Sequence, residues 1–431
     1  MNKKYNKSRG PSKTRSQVRS KSNRKSHSEY GQASGNKAFT GHYRRRPNAN
    51  RYYSGNKGQN KYGKKLDISA FINKQVAITQ ENETSFIPEH SFDDFNINAN
   101  LKNAILKKGY ETPTPIQDEM IPHILNGKDV VGIANTGTGK TAAFLIPLIN
   151  KVLNNPSEKI IIVAPTRELA NQIHQELRAF VSGMNVFSVC CVGGTSIVPQ
   201  MRSLSRKNNF VIGTPGRLKD LIERKKLNLH EINTIVLDEA DTMLDMGFIH
   251  DMRYLVAKMP AVHHTLFFSA TLSKEIEKLI SAFLNDPIHI SLKTRDTAHN
   301  IEQDIIKMRA GEQKIEILHK LLIQPDFNKV LIFGRTKHGV EKLSRDLFKK
   351  GFSAESIHGN KNYNQRQRAL ATFKENKLQI LVATDVAARG LDIPNVSHVI
   401  NYDMPGTYED YIHRVGRTGR WGKKGKALTF V

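Results

Sequence analysis

Beyond about residue 90 the chain alternates between two textures. Short runs of β-branched and aliphatic residues, DVVGIA (129–134), KIIIVAP, FVIGTP, TIVLD and TLFFSAT, read as parallel strands buried on both faces. Between them lie stretches with helical spacing, such as RELANQIHQELRAF, where Leu169, Ile173 and Leu177 recur at one-turn intervals. The pattern breaks at the polar segment KTRDTAHN (293–300). It resumes with KVLIF, a helix through 340–348, SAESIHG, a helix to Phe373, QILVATD and HVINYD. Strand–helix alternation of this kind predicts doubly wound α/β domains with parallel sheets. Two such domains joined by a short linker account for the whole pattern, with no residue-level repeat between them.

Composition adds a third region. The 431 residues suit two or three domains at roughly 150 residues each, and the net charge of +26 points to a polyanionic partner. Charge is concentrated in residues 1–65, where nineteen Lys or Arg face a single acid, Glu29. That stretch is rich in Ser, Asn and Gly, with Tyr43, Tyr52, Tyr53 and Tyr62 scattered through it. It has too few aliphatic residues to offset its ordering entropy, so a disordered tail is expected. Such a tail serves either solubility or non-specific RNA binding, with Arg and Lys on phosphates and Tyr stacked on bases. Cys190 and Cys191 are neighbours, which disfavours a disulfide and fits a reducing cytoplasm; no CxxC pair exists to hold zinc. The basic N-terminus lacks the apolar core of a signal peptide, and runs such as IIIVAP are too short to span a bilayer. A cytoplasmic protein with no membrane partner is expected.

The sharpest chemical signal is ANTGTGKT (134–141), directly after one strand and before the helical run AAFLIPLINKVL. A Gly-rich turn feeding a helix N-terminus makes an anion cradle, here Ala134, Asn135, Thr136, Gly137, Thr138 and Gly139. Lys140 would reach the β/γ-phosphates and the Thr141 hydroxyl would ligate Mg²⁺. Ala134 stands where the general pattern has glycine. The second signal is DEAD (238–241), closing the strand TIVLD. Asp238 suits Mg²⁺ coordination and Glu239 suits orienting or deprotonating the attacking water. Alone the tetrad would read as an acidic helix start; beside a phosphate loop it reads as catalytic.

These motifs, together with SAT (269–271), resemble motifs I, II and III of the DEAD-box RNA helicases. GYETPTPIQ (109–117) is similar to the family's Q motif, with Phe92 as its isolated upstream aromatic. PTRELA (165–170), the pair Gly193 and Gly194, and TPGRL (214–218) resemble the first-domain RNA motifs. LIFGRTK (331–337), HGNKNYNQRQR (358–368), ATDVAARGLD (383–392) and YIHRVGRTGR (411–420) resemble the second-domain set. The resemblance runs from about residue 90 to the end. It implies a tail over 1–65, a connecting stretch over 66–89, a Q-motif region over 90–118, an ATP-binding RecA-like domain over 119–295, a linker over 296–303 and a second RecA-like domain over 304–431.

The resemblance also implies roles. Tyr110 would stack on adenine and Gln117 would bond its edge, with Phe92 at the same site, and Asp392 would touch the ribose. Arg417 and Arg420 would be arginine fingers on the γ-phosphate. Ser269, Thr271, Asp241, His413 and Arg414 would couple the nucleotide site to domain closure. RNA contacts would fall on Pro165, Thr166, Arg167, Gly194, Thr214, Gly216 and Arg217, then on Arg335, Thr336, Gln365, Arg368 and Thr384. Without the resemblance, PTRELA is merely a Pro-led helix start and Tyr110 a turn aromatic over the core.

The implied activity is ATP-dependent RNA unwinding, local rather than processive, with ATP and Mg²⁺ as cofactors. The RNA would be single-stranded or a short duplex, bound without regard to sequence, with ribosomal particles or RNA-decay machinery as partners. Two other classes fit parts of the pattern: an ATP-gated RNA clamp, and a DNA-directed translocating motor. The basic tail suggests likeness to the bacterial RhlE-like group. The chain closes at ALTFV, soon after the arginine-rich motif, so either a minimal second domain or a truncated sequence is expected.

Overall fold

The computed structural model of the protein describes residues 86–135, 137–292, 301–391, 393–419 and 424–431. Expectations for the tail 1–65, the stretch 66–85, Thr136, Asp392 and Arg420 lie outside the described residues.

The first half builds a seven-stranded sheet from β1 (Val130–Ile133), β2 (Ile160–Val163), β3 (Ser188–Cys191), β4 (Phe210–Gly213), β5 (Thr234–Leu237), β6 (His264–Ser269) and β7 (Ile288–Ser291). Every pairing is parallel, in the order β3-β4-β2-β5-β6-β1-β7. Its helices are α1 (Ala99–Lys107), α2 (Pro115–Leu125), α3 (Lys140–Asn154), α4 (Arg167–Phe180) and α5 (Ile197–Leu204). They continue with α6 (Pro215–Glu223), α7 (Ala240–Asp245), α8 (Ile249–Ala257) and α9 (Lys274–Phe283).

The second half builds a six-stranded sheet from β8 (Ile301–Ile306), β9 (Val330–Phe333), β10 (Ala354–Ile357), β11 (Ile380–Ala383), β12 (His398–Asn401) and β13 (Gly425–Phe430). The order is β10-β11-β9-β12-β13-β8, again all parallel. Its helices are α10 (Lys314–Leu322), α11 (Lys337–Lys349), α12 (Tyr363–Lys374), α13 (Asp385–Ala388) and α14 (Tyr408–Val415).

The period-two pattern of the strands sets the cores. Val130, Ile160, Ile162, Val236 and Phe268 face one layer of helices, while Val131, Ile161, Val163, Ile235 and Phe267 face the other. The second sheet divides in the same way, with Leu331, Leu381 and Val399 on one side and Ile332, Val382 and Ile400 on the other. Cys190 and Cys191 fall on opposite faces of β3, and burial pushes both free thiols up to about 12. Residues 92–105 belong to the first of these cores, so the Q-motif region is part of the first half. No helix among the described residues is long and apolar enough to cross a membrane.

One boundary differs from expectation. The stretch 296–303 was expected as linker, yet from Ile301 onward it is strand. Ile301 pairs with Gly425 and packs with Tyr411, Val415 and Ala427. The apolar burial of Ile301 carries the chain into the second sheet three residues before the expected start.

Candidate functional site

The phosphate loop sits where an open α/β sheet places its ligands, at the carboxyl end of a central strand. Gly139 adopts φ +95° as the residue before α3, and a Cβ there would lie 2.6 Å from Gln117 Nε2 and 2.8 Å from Thr114 Oγ1. The Q motif thus packs directly beneath the loop. Thr138 Oγ1 donates to Asn135 O at 2.9 Å, closing the turn on itself. Lys140 is buried, and its Nζ donates to Ala134 O at 2.5 Å.

Gln117, expected at the edge of adenine, is 1% exposed and committed to backbone. Its Nε2 donates to Gly139 O at 3.2 Å, and its Oε1 accepts from Thr114 N–H at 3.0 Å. Its place in the first turn of α2 points the amide into the loop. Phe92 is buried in the core, 6.3 Å from the Tyr110 ring, which it backs. Tyr110 is the aromatic that lines the cleft, stacked at 5.9 Å and 13° on Phe180, with its hydroxyl 3.3 Å from Glu176 Oε1.

The tetrad comes directly after β5. Glu239 takes a left-handed backbone (φ 50°, ψ 54°) just before α7, which turns Asp238, Glu239 and Asp241 into one buried cluster. Burial pushes the Asp238 carboxyl up, against the pull of Lys140. Burial pushes Glu239 up to about 7, helped by the Asp238 charge and opposed by Arg417 and Lys140. Asp241 faces the other way: its Oδ2 accepts from Ala270 N–H at 2.9 Å and Thr271 N–H at 3.1 Å. Ser269 Oγ donates to Thr271 O at 2.7 Å, so the SAT segment is held as a unit. The charge of Asp241 also reaches His413 of the second half, whose pKa burial lowers. The expected coupling set therefore meets in space, with one exception.

The exception is Arg414. It is 2% exposed and wholly committed inside the second half, bidentate to Asp385 at 2.5 and 2.8 Å and donating to Asp403 O at 2.6 Å. Three residues on, Arg417 does enter the cleft. Its Nε donates to His413 O at 3.1 Å and its Nη1 to Leu391 O at 2.6 Å, which holds the guanidinium beside Glu239. Tyr110, Gly139, Lys140, Thr141, Asp238 and Glu239 share a cleft of about 460 Å³ with Gly390, Leu391 and Arg417.

The residues expected at RNA gather on the carboxyl edges of both sheets, at strand–helix corners. Thr166 caps α4, accepting from Leu169 N–H at 3.2 Å, and Thr336 caps α11, accepting from Gly339 N–H at 3.0 Å. Thr214 and Thr384 occupy the cap positions of α6 and α13. Pro165 is buried at the end of β2, whereas Gly216, Arg335, Gln365 and Arg368 are exposed. Arg167 lies against Gly194, where a Cβ would fall 1.8 Å from its Nη1; only glycine leaves room for that guanidinium. Arg217 is tied back to Gln200 Oε1 at 2.9 Å and Thr195 O at 3.1 Å, so it braces the first half's loops.

Sequence reasoning missed the ion pairs that cross between the halves. Arg366 Nη2 lies 2.9 Å from Glu168 Oε2, both partners largely buried. Arg389 Nη2 lies 3.1 Å from Asp245 Oδ2 and 2.7 Å from Asp410 Oδ1. All three of Glu168, Arg366 and Arg389 sit inside quoted motifs, but nothing local in the chain says that they face one another.

This fold and cleft define a two-domain phosphate-loop ATPase closed by an arginine from its second domain. The sequence matches the family described as DEAD/DEAH box helicase over residues 114–279, and the helicase conserved C-terminal domain over 313–422. DEAD-box ATP-dependent RNA helicase CshA of Bacillus subtilis (strain 168) is 44% identical over 343 residues, covering 79% of this chain and 69% of that protein. ATP-dependent RNA helicase CshA of Listeria monocytogenes is 45% identical over 342 residues, covering 79% and 66%. Among solved structures, S. cerevisiae Dbp5 bound to RNA and ADP BeF3 is 30% identical, covers 79% of this chain and 89% of its own, and has a TM-score of 0.71. Mss116p bound to ssRNA and AMP-PNP is 33% identical, covers 78% and 72%, and has a TM-score of 0.70. The chain belongs to the DEAD-box family of ATP-dependent RNA helicases. These relatives do not bear on the RhlE-like grouping suggested by the tail.

Proposed function

We propose that this helicase binds RNA without reading its sequence, melts short duplexes locally and remodels ribonucleoprotein particles in the cytoplasm. The observation that carries this reading is the shared cleft. Lys140, Asp238 and Glu239 from the first half meet Arg417 from the second, so the ATP site is complete only when the halves are together. The candidate RNA residues are divided between the same two halves. Each ligand would then stabilise the arrangement that binds the other, and such coupling is reciprocal. A strand gripped through phosphates and sugars at helix starts carries no base-specific information, which suits a sequence-blind motor.

In this reading Lys140 moves from Ala134 O to the β/γ-phosphates, and Arg417 stabilises charge on the transferring phosphoryl group. Glu239, titrating near neutrality, orients the attacking water and accepts its proton. The donors fit Mg²⁺. Burial raises the Asp238 pKa against the pull of Lys140, so a cation beside this carboxyl would favour its charged form. Asp238 and the Thr141 hydroxyl would hold the ion, which would neutralise phosphate charge. No group of three or more His, Cys, Asp or Glu among the described residues could hold a metal by itself, so phosphates and water would complete the shell. Arg420 on the γ-phosphate and Asp392 on the ribose remain part of the proposal from sequence alone, as does a basic tail that adds RNA affinity. Ribosomal or RNA-decay particles are the proposed targets.

Hydrolysis measured with no nucleic acid, with single-stranded RNA and with DNA of the same sequence tests this. Strong stimulation by RNA alone is expected. Equal stimulation by DNA, or none by either, would overturn the reading.

A further inference from the structure

We propose that Glu341 is a positioning residue for RNA binding, fixing the start of α12 against the start of α11 through a carboxylate shared by three donors. The inference rests on the RNA reading above and concerns a residue outside every motif named so far.

Glu341 lies in the second turn of α11, just after the corner that carries Arg335 and Thr336. A single oxygen, Oε2, accepts from Ser356 Oγ and from His358 Nε2 at 3.0 Å, with Lys361 Nζ 3.6 Å away. These contacts hold its carboxyl down at about 2, the Ser356 hydrogen bond first and His358 next. The His358 ring is buried, and its Nδ1 accepts from Asn360 N–H at 3.3 Å. That pairing assigns the proton to Nε2, aimed at Glu341. The carboxylate therefore clamps the end of β10 and both ends of the turn His358–Lys361.

The helix beyond this turn gives the clamp its purpose. Asn362 Oδ1 caps α12 by accepting from Gln365 N–H at 2.9 Å, and Gln365 Oε1 accepts from Asn362 N–H at 3.1 Å. The same helix start presents Arg368 and sends Arg366 across to Glu168. Two candidate RNA residues and one cross-domain ion pair thus hang on a turn whose fixed point is Glu341. A plain brace within the second half would need none of these to lie downstream.

The test compares wild-type full-length protein with Glu341→Ala and Glu341→Gln. The Ala variant should raise KM for RNA about tenfold, the scale of lost hydrogen bonds to a charged group. The Gln variant, which keeps an acceptor but not the charge, should raise it less. RNA-free hydrolysis should stay within about twofold of wild type in both. Amides of residues 357–368 should exchange about tenfold faster in the Ala variant even without RNA. A lowered Tm with unchanged KM for RNA would reduce Glu341 to a brace and overturn the proposal. Unchanged exchange would overturn it regardless of RNA. If wild type itself shows no RNA stimulation, the function reading fails instead, and the exchange measurement still judges the clamp.

Discussion

In the first half, β1 runs into ANTGTG and then α3; in the second, β8 runs into KMRAGEQ and then α10. The two strands hold equivalent places, β1 beside β6 and β8 beside β13. Each helix starts with a lysine. Lys140 faces a loop packed on Gln117 and Thr114, within reach of a buried carboxylate cluster. Lys314 donates to Tyr402 O at 3.0 Å instead. The strand that should supply a second acidic cluster, β12, leads to Asp403, and this residue accepts from Arg335 N–H at 2.8 Å. Gly311 has positive φ, but a Cβ there would meet nothing within 4 Å, so its loop is no cradle. One architecture occurs twice. The first copy turns its lysine and carboxylates into the cleft, while the second ties the corresponding residues to its own backbone and sends Arg417 into that cleft. Asymmetry of this kind fits the proposed dependence of hydrolysis on contact between the halves.

The sharpest way to break the comparison is Arg417→Ala. Removing the proposed arginine finger should lower RNA-stimulated turnover on the order of 10³-fold, with only a modest fall in Tm from the lost bonds to His413 O and Leu391 O. Arg414→Ala is the control, because its loss strands Asp385 and should melt the second half instead. Comparable turnover loss with intact folding in both variants would mean that the two arginines are not divided between chemistry and structure.

Next in size is Glu239→Gln, expected to slow hydrolysis about 10²-fold or more and to trap an ATP-bound complex on RNA. Fast hydrolysis would refute the assigned role. Its sign in stability is independent of catalysis. Glu239 titrates near 7 when folded, against an ordinary value of 4.5. The unfolded chain therefore loses this proton first, and wild type loses stability as pH rises from 4.5 towards 7. Nucleotide-free Glu239→Gln should melt above wild type at pH 8, with the gap shrinking by pH 5. A gap that widens on acidification would contradict the burial argument.

The smallest effect is expected at Tyr110→Ala, about a tenfold rise in KM for ATP from a lost stacking surface, with kcat little changed. An unaltered KM would assign the ring to the Phe92 and Phe180 cluster alone.

Much of this was readable in the chain. Interior strands such as IIIV and TIVL are buried on both faces and stand out as apolar runs. The strands that escaped notice include the sheet edges: β3, SVCC, and β7, IHIS, in the first half and β8, IEQDII, in the second. Each is wetted along one side and therefore mixes polar with apolar residues. β13 lies inside its sheet, but a Lys- and Gly-rich approach and a sequence, GKALTF, with a single β-branched residue hid it. At the site, motifs identified which residues matter better than what they touch. Arg414 and Arg417 are indistinguishable in HRVGRTGR, and only the turn of α14 sends one inward and the other to the cleft. Gln117 and Phe92 were placed at the nucleotide site by resemblance to the Q motif, which names the residues without showing that both are buried. The Glu168–Arg366 pair spans nearly two hundred positions, a separation at which local pattern carries no information.

The bond from Lys140 to Ala134 O bears on which molecules the loop would admit. A cation engaged by its own main chain must give up that carbonyl before it can grip a phosphate, so a lone inorganic anion would gain less from Lys140 than the bare charge suggests. A ligand that also reached Tyr110, which lines the same cleft, would gain contacts at its far end as well. Under the proposed function the cleft would therefore discriminate by length as well as by charge, favouring a nucleotide over free phosphate.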